Sequence, residues 1–340
     1  MIIRYTVGVA LGVFILLLLV GKRGELTGAL HHVDHLDYAW ESGAVAAEVL
    51  SIVGYGFLQQ KVLQWSGAQI SLASLTLVSL ANNAIAYSVP GEPAVSSAYR
   101  YRFFRRHGAS GASAGWSILT ILIAQAIGMS LLLLVGVLVA LSGNSGVQAR
   151  GTVIVGLFVV VIAGAFLIRR DLLLRFLGLV VRLFRRATGH PRGDVMKRIE
   201  STLQRMHEIP LSSGAAVGLV IMATALWLMD FVILICCFGA VHAPIPWSGV
   251  LLAFGVSQIV TSLPLIPGGL GIVEGSLAVI LVAYGAKKVP ALAVVLVYRL
   301  LTFWLVIIVG WISIGVIEWR VRRGANEVLA ETATVTATEI

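Results

Sequence analysis

The sequence predicts an all-α, polytopic membrane protein with about seven to eight membrane segments, one or two of them broken or re-entrant. Three observations predict it. Of the 340 residues 58% are hydrophobic and only 12% charged, with a mean hydropathy of +0.94. A soluble chain of this length needs more charge to cover its surface. Apolar runs of roughly twenty residues, the length that crosses hydrocarbon as a helix, recur between short polar or basic segments. Within the run at 250–285, Pro264, Pro267, Gly268, Gly269 and Gly271 interrupt the apolar pattern, and Glu274 follows. Proline removes an N–H and clashes with the preceding turn, so the helix breaks. The freed backbone groups then need partners in protein or a polar cavity. An ionisable residue at that depth marks a functional site by default.

Taken in order, Ile2–Val20 is an uncleaved first span, because Lys22-Arg23-Gly24-Glu25 stands where a signal peptide has its small-residue cleavage site. His31 and His35 lie one helical turn apart beside Asp34. Nothing nearby completes a set of three or four ligands, so no metal and no other cofactor is expected. Tyr38–Gln60 is the second span, with Glu48 inside it. Ile70–Val89 is the third, with Asn82 and Asn83, and it ends at Pro90-Gly91-Glu92-Pro93. In 94–110 the residues Arg100, Arg102, Arg105 and Arg106 alternate with aromatics. Beside membrane spans that pattern reads as an interfacial anchor on anionic head groups rather than a nucleic-acid surface.

Ser117–Leu141 and Thr152–Ile168 are further spans. The basic loop 169–208 follows; its stretch 169–205 carries ten of the 25 Lys and Arg. The positive-inside rule places this loop in the cytoplasm and 142–150 outside. Leu211–Phe238 is a span containing Asp230 and the adjacent Cys236 and Cys237, whose adjacency argues against a structural disulfide. Ala291–Ile317 is the last span, with Arg320, Arg322 and Arg323 on its cytoplasmic side. Residues 1–323 thus form a single membrane domain, and 324–340 are expected to be a disordered tail. Glu48, Asp230, Asn82 and Asn83 are expected to face the bundle interior as hydrogen-bonding groups between helices.

A shift of 177 residues places Pro90-Gly91 on Pro267-Gly268, Gly108-Ala109 on Gly285-Ala286 and Ala114 on Ala291. Three spans separate the copies, and an odd number gives the geometry of an inverted repeat. At the second break, a half-helix starting near Gly269–Gly271 presents free N–H groups and the positive end of its dipole, which suits an anionic head group. Arg299 is placed to add a bidentate phosphate contact. Glu274 is either paired with Arg299, or neutral through burial, or a reader of a cationic group. If the glycines serve close approach to a head group, alanine at Gly269 or Gly271 should spare folding and lower lipid binding; if these positions instead need positive φ, alanine should cost folding.

The stretch SLPLIPGGLGIVEGSLAVILVAYG, with Pro290-Ala291 and Val297-Tyr298-Arg299-Leu300 after it, resembles the transmembrane region of lysylphosphatidylglycerol synthases and the stand-alone, flippase-like membrane proteins that share it. Asn83, Pro90-Gly91-Glu92, Arg100 and Gly108-Ala109-Ser110 support the resemblance upstream, so that it covers residues 5–320. Here Glu92 is followed by Pro93, where the family reads a proline-glycine-glycine element with an acid and then an arginine. The resemblance implies a cell-membrane protein that moves or binds lipid. Its lipid-contacting residues would be Pro267, Gly268, Gly269, Gly271, Glu274, Tyr298 and Arg299, with Asn83, Glu92 and Arg100 from the first half.

Bifunctional members carry a soluble domain that transfers lysine onto phosphatidylglycerol. Only residues 324–340 follow the last basic cluster, so that transfer is not expected here. The chain also lacks HExxH, a nucleophile beside an evident base, and an Asp-rich metal motif, so no enzyme activity is expected. The expected function is lipid translocation, of a phospholipid or a polyprenyl-phosphate-linked lipid. The alternative is a lipid-binding scaffold for a lipid- or cell-envelope-modifying enzyme.

Overall fold

The computed structural model describes residues 36–89, 92–142, 212–261 and 267–338. All of the elements in them are helical: α1 (Tyr38–Trp65), α2 (Leu72–Ser88), α3 (Glu92–Arg106), α4 (Gly111–Ser142), α5 (Ser213–Ala240), α6 (Val250–Thr261), a 3₁₀ turn (Pro267–Gly269), α7 (Ile272–Ala283), α8 (Lys288–Arg299), a π turn (Leu300–Leu305) and α9 (Val306–Thr338). The expectations for Ile2–Val20, His31–His35, Pro90-Gly91, Thr152–Ile168, the loop 169–208 and Pro264 lie outside the described residues.

Local chemistry sets the helix starts. Asp37 accepts the Ala39 N–H at 2.9 Å, Ser71 accepts that of Ser74 at 3.3 Å, Ser110 that of Ser113 at 3.0 Å and Ser212 that of Ala215 at 3.2 Å. Each such cap satisfies an amide that has no carbonyl one turn back. Among the described residues α1, α4, α5 and the continuous Lys288–Val321 helix are long and apolar enough to cross a membrane, and α6 and α7 are shorter apolar helices. Their outward faces carry Ile221, Ile308 and Ile312, each more than half exposed. In water such stripes would be costly, whereas against lipid tails they are at home. The protein is a polytopic helical membrane protein.

The internal repeat extends well beyond the two breaks. A shift of 175 residues carries Tyr38–Trp65 onto Ser213–Ala240 at both ends. The turn that closes each is the same: Ala68 donates to Leu63 and Ala243 to Phe238, with Gly67 and His242 at φ +82° and +55°. A shift of 177 carries the end of α3 onto the end of α7 and the start of α4 onto the start of α8. Again the backbone bonds coincide. Ala109 donates to Phe104 and Ala286 to Leu281, Ala114 to Ser110 and Ala291 to Lys287, with Gly108 and Gly285 at φ +89° and +101°.

Each copy is therefore a long helix, a pair of short helices and a second long helix. The copies interlock, because α2 packs on α9 and α6 packs on α4. At both contacts a glycine lets the backbones approach: Gly310 against Leu80 and Ala84, and Gly136 against Leu251 and Leu252. One core gathers around Phe238, Phe254, Leu277 and Val294 of the second copy, with Ala44, Ala47 and Met129 of the first, and another around Leu75, Phe104 and Ala114 of the first, with Ile317 of the second. A third cluster, with Leu58, Ile121 and Leu219, joins α1, α4 and α5.

Helical backbone of α9 continues to Thr338.

Candidate functional site at the broken helix

The break lies where the sequence placed it. α6 ends at Thr261, the chain re-enters described structure at the 3₁₀ turn Pro267–Gly269, and α7 starts at Ile272. Gly268 adopts φ +60° and ψ 13°, and Gly269 and Gly271 have φ +63° and +80°. L side chains pay roughly 1–2 kcal/mol for left-handed backbone. Space is also absent at Gly268, where an added Cβ would fall on the Phe303 ring, and at Gly269, where it would meet the Val273 side chain. The expectation that alanine at Gly269 or Gly271 would spare folding is thus overturned. These glycines are needed for the turn itself.

Around this turn Gly268, Gly271, Glu274 and Arg299 come together. Arg299 Nε donates to Glu274 Oε1 at 2.6 Å, and its Nη2 donates to the Gly268 carbonyl at 2.9 Å. The other carboxylate oxygen, Oε2, accepts the Gly271 N–H at 2.6 Å. Of the three readings open for Glu274, the pair with Arg299 is the one realised. The positive end of α7 is accordingly capped by the protein's own carboxylate, where the sequence had suggested a head group. Arg299 is the more deeply buried partner, its side chain 7% exposed against 25% for Glu274. Burial of that charge is tolerable because it is paired and hydrogen-bonded.

Two features of the site went unpredicted. The Arg299 guanidinium lies 4.0 Å over the Phe303 ring, which in turn packs against Tyr87 of α2 with ring centroids 5.1 Å apart. The four-residue spacing from Arg299 to Phe303 was a readable signal for a cation on an aromatic face. The π turn at Leu300–Leu305, which sets Phe303 under the arginine, was not readable. Such turns are frequent at functional positions in helices.

The remaining predicted residues have other partners. Tyr298 is buried, and its hydroxyl accepts from Gln258 Nε2 of α6 at 3.2 Å. Asn83 is half-buried on α2. Glu92 opens α3, and Pro267 opens the 3₁₀ turn. Arg100 is not the interfacial anchor expected of it. It is buried on α3 and donates through Nη1 to the Tyr55 hydroxyl at 2.7 Å, whereas Arg102, Arg105 and Arg106 are exposed. The difference follows from helical period: Arg100 shares a face with Ser96, Phe103 and Phe104, all buried. Among the in-span polar groups, Asp230 of α5 accepts from Ser51 of α1 at 2.6 Å, a bond between helices.

The lysylphosphatidylglycerol synthase TM region family matches this chain over residues 5–310. The chain belongs to that family. A UPF0104 membrane protein of Methanothermobacter thermautotrophicus is 31% identical to it over 100 residues, covering 29% of this chain and 30% of that protein. The chain thus matches less than a third of that relative's length. The family match takes in α1 to α8, the broken helix and the Glu274–Arg299 pair. The described part of this region is a repeat in which one copy closes on the Glu274–Arg299 ion pair.

Proposed function

We propose that this protein moves an anionic lipid, a phospholipid or a polyprenyl-phosphate-linked lipid, across the cytoplasmic membrane. The supporting observation is a broken apolar helix whose second half is held to the next helix by an ion pair with one buried and one partly accessible partner. A phosphate has the planar, bidentate match to a guanidinium that a carboxylate has. A head group can therefore compete with Glu274 for Arg299, and Glu274, a quarter exposed, is the partner able to leave. Exchange of one anion for another keeps the buried arginine neutralised throughout. Released from Arg299, α7 is free to tilt on the turn at Gly268–Gly271. The two interlocked copies supply the second body against which such a movement is made.

The pair's hydrogen bonds to each other and to the turn favour a second reading, a scaffold that binds lipid for a modifying enzyme without moving it. Proteoliposomes containing head-group-labelled phosphatidylglycerol separate the two readings. With an impermeant quencher outside, a translocator makes the inner-leaflet label accessible over time, and the Glu274→Gln/Arg299→Gln variant does so more slowly. Saturable lipid binding with no movement of label would replace translocation by the scaffold reading.

A further inference from the structure

The protein holds a second buried arginine whose environment is the opposite of that of Arg299. Arg100 is 8% exposed, and its one described bond is to a neutral hydroxyl, that of Tyr55. Its Nε is fully buried and has no partner among the described residues, and no ion pair forms with Arg100 among them either. Arginine cannot shed its proton to escape this position. An unpaired charge out of water costs several kcal/mol. A water molecule satisfies one N–H but leaves the charge uncompensated, so the missing group is an anion.

The surroundings are polar in the same way. Tyr55 and Gln59 lie one turn apart on a face of α1. Gln59 is fully buried, donates to Ser79 of α2 at 2.6 Å and has an unpartnered Oε1. Asn82, one turn beyond Ser79, is buried with an unpartnered Oδ1. Buried polar atoms are nearly always satisfied. The unpartnered Gln59 and Asn82 oxygens are acceptors, so water or a hydroxyl of the ligand completes them, and the anion itself falls to the donors of Arg100.

We propose that Arg100, oriented by Tyr55, is an anion site in the first copy that takes a phosphate group, separate from the Glu274–Arg299 pair of the second copy. The planar guanidinium, with Nη1 fixed on Tyr55, leaves Nε and Nη2 as adjacent donors on the fork edge that suits a phosphate. The two copies then differ in kind: the second supplies its own carboxylate, and the first takes its anion from outside. The proposal rests on burial and charge, not on translocation, so binding and transport can fail independently.

The test uses full-length protein stripped of lipid in neutral detergent, titrated separately with inorganic phosphate and with dihexanoyl-phosphatidylglycerol, by calorimetry and by thermal shift. The Arg100 component of saturable binding is expected to fall at least tenfold in Arg100→Gln, and that same component is expected to persist in Glu274→Gln/Arg299→Gln, which removes only the separate head-group contact proposed at Arg299. Arg100→Lys keeps the charge but loses the fork. It should keep the ligand-free melting temperature and bind severalfold more weakly, which preserves the test if Arg100→Gln folds poorly. Binding of both probes assigns the site to the phosphate itself, and binding of the lipid alone assigns it to a phospholipid head group. Wild-type protein that binds neither probe saturably, or Arg100 variants that bind both as wild type does, would overturn the proposal.

Discussion

Glu274 and Arg299 stand 25 residues apart in the chain and 2.6 Å apart in space, and the same carboxylate also holds the Gly271 N–H that opens its own helix. One side chain thus fixes the start of α7 and the end of α8 together. Removing either partner strands the other. For a fully buried pair that costs about 3–5 kcal/mol, and the exposure of Glu274 puts this one at the lower end, about 3 kcal/mol. Glu274→Gln and Arg299→Gln should each lower stability by that order, and the double variant should lose clearly less than their sum. Thermal denaturation of the four proteins in one detergent gives the cycle. Additive losses would mean that the contact contributes nothing.

The glycines of the turn carry the next prediction. Gly268→Ala combines a left-handed backbone with a side chain driven into Phe303. It should fold worst of the turn variants, with loss of monodisperse protein on size-exclusion chromatography. Gly275→Ala, one turn into α7 where an added Cβ meets nothing within 4 Å, should be neutral or stabilising, because alanine is the better helix former by roughly 1 kcal/mol. Equal behaviour of the two would remove the turn's conformational requirement.

Much of this was legible in the sequence, and what was not has identifiable causes. Pro267 and the glycines announced the break because they are chemically unable to continue a helix. Whether they serve close approach or positive φ was not decided by the sequence, since glycine serves both. Glu274 and Arg299 were visible as costly charges. Their meeting depended on how α7 and α8 are joined at Gly285, which no spacing reveals. The repeat was faint because equivalent positions must share a turn and not a residue: Gly67 and His242 occupy the same left-handed place. Arg100 and Arg102 look alike in a run of Arg, Tyr and Phe, and only the face each takes on α3 distinguishes them.

At the α1–α5 contact, Ser51 donates to Asp230 at 2.6 Å. Interhelical hydrogen bonds in membrane proteins contribute about 0.6 kcal/mol on average and up to about 1.7 kcal/mol. Ser51→Ala should cost an amount in that range. Asp230→Asn keeps an acceptor oxygen for Ser51 and removes a carboxylate that burial between helices disfavours, so it should be neutral to stabilising. Lipid movement in proteoliposomes should survive it as well. A stable Asp230→Asn protein without lipid movement would make Asp230 a working group and not a helix-to-helix fastening.

The last prediction tests the interlock of the two copies. Gly310 of α9 sits against the Leu80 carbonyl and the Ala84 side chain of α2, whereas Gly315, a turn and a half further on, faces open space. In a membrane, helices gain little from hiding apolar surface and hold together by close packing. A side chain at 310 must therefore push α9 off α2, and one at 315 replaces lipid with carbon. Gly310→Val should cost about 1–3 kcal/mol, the usual penalty of overpacking, while Gly315→Val should change stability by less than about 0.5 kcal/mol, as surface substitutions do. Because α2 belongs to one copy and α9 to the other, the same variant should loosen the copies from each other. A cysteine introduced beside the contact at Ala84 should then react faster with a thiol reagent in the Gly310→Val background than alone. Equal thermal stability of the two valine variants, with equal labelling, would show that the copies are not held together at this contact.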